Sequence, residues 1–304
     1  MMRYDIRLRI GYDYAPPVRD ARHVLRLTPR TDRGQTLEAA RLVIHPTPSE
    51  HRVDHCFFGN RTEHVLLRAP HASLSVTLMA RVGVARGLPA LDTAPPLCEV
   101  VEAAALSRGA DGTAPAFLSA AGRLVAPQAD AGAFIRQSLS AGSLGPGLLA
   151  AARAIRDEFA YEPGFSDLTT SVTTVLREKR GVCQDFAHLM IAGLRHLGIP
   201  AAYVSGFLRT EPPDGAPRVE GADAMHAWVE AWLGPDLGWV GFDPTNGCVV
   251  EDGHIAVAIG RDYADVAPVA GVVTTMGGQA AFHAVDVVPQ TERPAAWQAA
   301  LDPR

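Results

Sequence analysis

The sequence predicts an α+β protein, and three observations carry that reading. Residues 1–86 hold short stretches of alternating polar and apolar residues separated by Pro, Gly, Asn and Asp. Residues 148–197 place apolar residues at helical spacing, and residues 201–288 return to strand patterns. Helices as a block followed by strands as a block is the α+β order.

Taken in order, Tyr4, Ile6, Leu8 and Ile10 alternate with charged residues, as in a half-buried strand. Similar stretches follow at His23–Leu27, Leu37–Ile44, His51–Phe58, His64–Leu67 and Ser73–Val84. Short strands with turn signals at this spacing predict a β-sandwich for residues 1–86. Residues 87–144 change character, with Pro95-Pro96 and alanine-rich helical stretches, and form a helical connection. A second domain, residues 145–288, opens with helices at Leu148–Phe159, Val172–Lys179 and Cys183–Leu197. Gly198 and Pro200 stand where a helix stop is expected. Strands follow at Ala201–Leu208, His226–Leu233, Trp239–Phe242, His254–Ile259, Val269–Met276 and Ala280–Val288, and residues 289–304 form a peripheral tail.

Composition bounds the function. The chain has 304 residues, 47% of them hydrophobic and 20% charged, with a net charge of −5. That is an ordinary soluble composition, and the charge argues against nucleic acid or an anionic membrane as partner. No run of about 18 apolar residues predicts a spanning helix, and the alternating start lacks the pattern of a signal peptide. The four cysteines (Cys56, Cys98, Cys183 and Cys248) show no CxxC spacing. Reduced thiols and a cytoplasmic location are the expectation.

Cys183 stands apart because GVCQDFAHLMI places it at the mouth of a helix. Free backbone N–H groups and the helix dipole there favour a thiolate. A cysteine nucleophile also needs a base, and a third group to orient that base. In HAWVEAWL, alternation sets His226, Trp228 and Glu230 on one face; in WVGFDP, Trp239, Gly241 and Asp243 share a face. Glycines and a proline between them predict an antiparallel hairpin. A tight turn at Gly234-Pro235 sets Asp243 directly opposite His226. A turn centred on Asp236-Leu237 shifts it toward Glu230, and a β-bulge restores the first pairing. Glu230 is therefore the rival orienter, but it lies about 13 Å along the strand from His226.

Each residue alone has an ordinary reading: a buried thiol, a core histidine, a strand-exit aspartate. Their joint placement is what favours chemistry. His51, His55 and Cys56 read as surface strand residues, because Cys56 faces away from the two histidines. His188 and His196 read as packing or capping groups. Arg261-Asp262-Tyr263 either supports the site from a neighbouring loop or caps a strand.

GVCQDFAHLMIAGLRHLGIPAAYVSGF, GADAMHAWVEAWL and GWVGFDPTNG resemble the core of the bacterial transglutaminase-like superfamily. The β-rich start, with DHCFFGN, resembles the N-terminal domain that accompanies this core, and HIAVAIGRDYADVAPVAGVV resembles the segment after it. The resemblance implies a papain-like core of helices packed on an antiparallel sheet. It implies Cys183 as nucleophile, His226 as base and Asp243 as orienter, with no metal or organic cofactor. Met225 departs from the smaller residue expected before the histidine. Gln184, Tyr161 and Trp228 are candidates for a second oxyanion donor or substrate contact. The implied activity is acyl transfer from a peptide, protein or small amide through a thioester. Hydrolysis is expected ahead of crosslinking, since no calcium-loop pattern or removable pro-segment restrains a crosslinker. The alternatives are a protein-glutamine transamidase, or a binding or scaffold module whose site is idle.

Overall fold

The computed structural model describes residues 1–304 other than 141, 211–219, 222, 275–276, 295–296, 298–300 and 302–304. Its first element, β1 (Met2–Leu25), joins both expected early strands into one. β2 (Gln35–His45), β3 (Glu50–His55), β4 (Arg61–Leu67) and β5 (His71–Val84) complete the N-terminal order β2-β5-β1-β4-β3. The expected sandwich is one curled antiparallel sheet whose two leaves share β1. Its pairing with β5 breaks between Asp13 and Val18, where Pro16 and Pro17 have no N–H to give. Ile6, Leu8 and Ile10 turn inward and are buried.

The connection holds α1 (Leu97–Leu106), the single turn α2 (Pro115–Leu118) and α3 (Ala129–Arg136). The helical block follows as α4 (Leu144–Glu158), α5 (Val172–Glu178) and α6 (Cys183–His196). Two short strands, β6 (Ala160–Tyr161) and β7 (Arg180–Gly181), pair in parallel and bring the Tyr161 loop to the start of α6. β8 (Ala201–Leu208), β9 (Ala224–Trp232), β10 (Trp239–Asp243), β11 (Cys248–Val249) and β12 (His254–Gly260) form a second sheet of order β11-β10-β9-β8-β12. α6 packs on β8 and β9, with Phe186, Leu189, Met190 and Leu194 buried against Ala227, Val229 and Ala231.

After the one-turn helix α7 (Tyr263–Val266), β13 (Val269–Thr274) and β14 (Gly278–Pro289) return to the N-terminal sheet, both paired with β1. Of the segment after β14, two described side chains pack on the N-terminal sheet. Trp297 and Leu301 are buried with Met79 and Val288, covering apolar surface there.

Two side-chain amides fix the sheets to each other. Asn60 donates to the Ile259 carbonyl at 2.7 Å and accepts from its N–H at 2.8 Å. Gln35 does the same with Ala256, at 2.8 and 2.9 Å. Each amide imitates a peptide unit, so the open edge of β12 is satisfied without another strand. No helix among the described residues is long and apolar enough to cross a membrane.

Candidate active site

Cys183 is the first residue of α6, after Val182 in extended conformation. The Asp185 carboxylate accepts from the Val182 N–H at 2.8 Å, half of a capping box, and from the Ser166 hydroxyl at 2.5 Å. Burial pushes the Asp185 pKa up, and those two hydrogen bonds oppose the rise. A β-carbon on Gly181 would stand 2.8 Å from the Asp185 side chain, so glycine is required for this cap to close. The first intrahelical bond is Phe186 N–H to Val182 C=O at 3.1 Å, which leaves the Cys183 N–H ahead of the helical ladder.

His226 is buried near the start of β9, with Nε2 at 2.8 Å from Asp243 Oδ2. A carboxylate only accepts, so Nε2 carries the proton and Nδ1 is the nitrogen left for Cys183. Burial alone would lower the His226 pKa. The hydrogen bonds to Asp243 and Cys183, and the charges of both, outweigh it and raise the value to about 10.

Asp243 is fully buried and receives five donors. Oδ2 accepts from His226, from His254 Nε2 at 3.1 Å and from Asn246 Nδ2 at 2.6 Å; Oδ1 accepts from the Thr245 and Asn246 N–H groups at 2.9 and 3.2 Å. Burial favours the neutral acid. The hydrogen bonds from His226 and His254 reverse that and hold the carboxyl far below the usual carboxylate range. The Glu251 N–H donates to Nδ1 of His254, so His254 too carries its proton on Nε2 and acts as a donor to Asp243.

The hairpin register differs from both turns considered from sequence. Gly241 faces Glu230 and Phe242 faces Val229, which carries Asp243 on to face Trp228 rather than His226. The turn spans Gly234 to Gly238, closed by Leu233 N–H to Gly238 C=O at 2.9 Å, and so lies between the two expected centres. Asp243 reaches His226 diagonally, two residues off, a separation that sheet neighbours on one face can bridge. Glu230 is committed elsewhere: Arg33 Nε donates to it at 2.7 Å.

The remaining candidates divide. Gln184 lines a cleft of about 330 Å³ with Cys183, His226 and Met225. Tyr161 is 55% exposed on the β6 loop and close enough to Cys183 that, after burial, the cysteine's charge raises its pKa. Trp228 is not in the cleft. Its ring is buried among Phe58, Leu118 and Val204, edge-on to His254 at 5.3 Å, because β9 turns that face toward the N-terminal sheet. Sequence reasoning missed His254, Asn246 and Tyr203. Only the turn residues after Asp243 held a local signal, for Asn246. His254 and Tyr203 read as ordinary strand residues. Tyr203 lines the cleft, and its pKa is raised by burial and then by the charge of Cys183. Of the loop 261–263, Asp262 caps α7 through Ala264 N–H at 3.0 Å, while Tyr263 lines the cleft and its N–H donates to His188 at 3.2 Å.

Among the described residues, His226, Asp243 and His254 have potential ligand atoms within 4.8 Å of one another. Those atoms are already joined by hydrogen bonds in which Asp243 is the common acceptor.

Residues 138–244 match the transglutaminase-like superfamily core, and residues 4–83 match the bacterial transglutaminase-like N-terminal region. An uncharacterized protein of Mycobacterium tuberculosis is 35% identical over 300 residues, 94% of this chain and 93% of its own. A protein-glutamine gamma-glutamyltransferase of Pseudomonas aeruginosa is 42% identical over 69 residues, 22% of this chain and 10% of that protein. A solved structure from Cytophaga hutchinsonii, described as a candidate cysteine protease, superposes with TM-score 0.72 at 21% identity, covering 95% of this chain and 91% of its own. With its core and its N-terminal region both matched, the chain belongs to the transglutaminase-like superfamily.

Proposed function

We propose that this protein is a cysteine-dependent acyl-transfer enzyme that cleaves amide or isopeptide bonds of peptide or protein substrates through a thioester. The observation that carries the reading is Cys183 at the start of α6 beside His226 of β9, with His226 bonded to Asp243 of β10 and interacting with Cys183. His226 Nδ1 takes the Cys183 proton, and Asp243 stabilises the resulting imidazolium. The sulfur adds to the substrate carbonyl carbon, and the electron pair moves to the carbonyl oxygen. The Cys183 backbone N–H donates to that oxyanion, with the Gln184 side chain as the second donor; such donors are worth about 3 kcal/mol each. The oxyanion collapses, the C–N bond breaks, and His226 gives its proton to the leaving amine. Water, deprotonated by His226, then attacks the thioester, and the thiolate leaves to regenerate the site.

Hydrolysis is the proposed outcome, and the side chain before His226 supports it. Met225 lines the cleft next to His226, where a smaller residue is expected, and its greater bulk disfavours a second, amine substrate. Iodoacetamide labelling below pH 7, read cysteine by cysteine, tests the reading. Cys183 should react at least tenfold faster than Cys56, Cys98 and Cys248. Equal rates would favour an idle module of the same fold.

A further inference from the structure

The cleft beside Cys183 is not made by the papain-like core alone. Tyr12 of β1 and Ala281, Phe282 and His283 of β14 supply one wall, so the N-terminal sheet reaches the reacting atoms. Gly11 permits this: its missing β-carbon would stand 2.0 Å from the Phe282 ring, which lies across β1 and is 55% exposed at the cleft.

β14 is an edge strand with a defined open side. The Val285 carbonyl accepts from the Asp223 N–H at 3.1 Å, and the Val287 N–H donates to the Asp223 carboxylate at 2.5 Å. Odd-numbered residues of β14 therefore turn their backbone groups away from β1. By the same alternation Gln279, Ala281 and His283 do so as well, and among the described residues no backbone hydrogen bond meets them. Asp223 pairs with this edge as an isolated antiparallel bridge, and from Ala224 the chain pairs with β8 instead. The cleft opens between the strands that separate there, with Met225 and His226 on one side and Ala281 to His283 on the other.

We infer that β14 is a docking edge for the acyl side of an extended, apolar peptide substrate, added as a further strand at Ala281 and His283. This deepens the acyl-transfer reading and rests on it. A peptide is the occupant that fits. Unpaired N–H and C=O groups at strand spacing are met by another extended backbone. The adjoining wall offers Tyr12, Phe282, Met225 and Tyr263, and no Asp, Glu, Lys or Arg among the described residues lines the cleft. This edge and Cys183 line the same cleft, so a strand laid there lies beside the sulfur.

Peptidyl fluoromethyl ketones test this on the full chain: the Cys183 sulfur displaces fluoride from the fluoromethyl carbon to form a thioether. The probes are acetyl-Leu and acetyl-Ala-Ala-Ala-Leu fluoromethyl ketone, with the longer one also N-methylated at each residue in turn. The tetrapeptide should alkylate Cys183 about tenfold faster or more. N-methylation should cost roughly fivefold at alternate residues and little at those between, the mark of a strand paired on one side. Ala281→Pro removes an outward N–H at an edge that tolerates proline, and should reduce the length advantage to about twofold. Equal rates for the two lengths, N-methyl losses without a period of two, or a full length advantage in Ala281→Pro would overturn the docking edge while the nucleophile stands. If neither ketone alkylates Cys183 and iodoacetamide labels it no faster than the other cysteines, the acyl-transfer reading itself fails, and this proposal with it.

Discussion

Asp243→Asn is the substitution whose outcome the structure determines most fully. Every contact of the carboxylate is with a donor: three at Oδ2 and two at Oδ1. An asparagine has one acceptor oxygen, so in either orientation its NH2 group faces donors that it cannot satisfy. With the NH2 toward the histidines, His226 Nε2 must accept instead of donate. The proton then moves to Nδ1, the nitrogen that should receive the Cys183 proton, and the base is blocked. With the NH2 turned the other way, the Thr245 and Asn246 N–H groups lose their acceptor, at about 1–3 kcal/mol each. Raising a buried imidazole from 6.5 to about 10 corresponds to roughly 5 kcal/mol of preference for the charged form. Asp243 and Cys183 share that effect, so losing the carboxylate's charge lowers the population of the thiolate–imidazolium pair. Adding the tautomer trap, turnover should fall by about 10³-fold or more. Cys183 alkylation rates at pH 6–7, site-resolved by mass spectrometry, and peptide-anilide turnover both read this loss. A loss under tenfold in both, with the fold intact by circular dichroism, would refute the role given to Asp243.

Four further outcomes follow from the same contacts. Glu230→Gln should keep most of the turnover yet lower the melting temperature, because it weakens a largely buried ion pair with Arg33; a turnover loss equal to that of Asp243→Asn would contradict the assignment. His254→Gln should cut turnover by about 10-fold through a looser Asp243 and move the alkaline limb of the pH–rate profile down, as the His226 imidazolium loses support; an unmoved limb would reduce His254 to packing. Burial holds His188 neutral with a pKa of about 4, against 6.5 when exposed. The unfolded chain then binds more protons, so stability is full above pH 6.5 and falls as pH drops toward 4, and the slope should flatten in His188→Gln melts; parallel slopes would exclude this source. Mass spectrometry of products formed with and without a primary amine should find mainly the hydrolysed acid, and predominant amine incorporation would reassign the enzyme as a transamidase.

Much of this was legible in the sequence because it is local. Strand alternation, helix stops at Gly198 and Pro200, and a cysteine after Gly-Val at a helix start are short-range signals. So the core helices and the strands from Ala201 to Gly260 fall close to their expected limits. The hairpin register was not legible, since the turn from Gly234 to Gly238 is compatible with several centres and a shift of two leaves every side chain on the same face. Even with the register shifted, His226 and Asp243 are hydrogen-bonded, because they meet on the diagonal. His254 was hidden for another reason: it comes from β12, on the far side of β8, and reaches Asp243 across the sheet. Trp228 shared the face of His226 by alternation, but the N-terminal sheet covers that face, a tertiary fact. The return of β14 to β1 is likewise invisible to periodicity, although it builds one wall of the cleft.

The most direct test is to trap the acyl-enzyme. The full chain is mixed with acetyl-Ala-Ala-Ala-Leu p-nitroanilide, quenched in acid within the first turnover, digested, and the four cysteine-bearing peptides are weighed. The account predicts the acyl mass on Cys183 alone, discharged by hydroxylamine as a thioester should be, and absent in His226→Ala. An acyl group on another residue, or p-nitroaniline released with Cys183 never acylated, would contradict it.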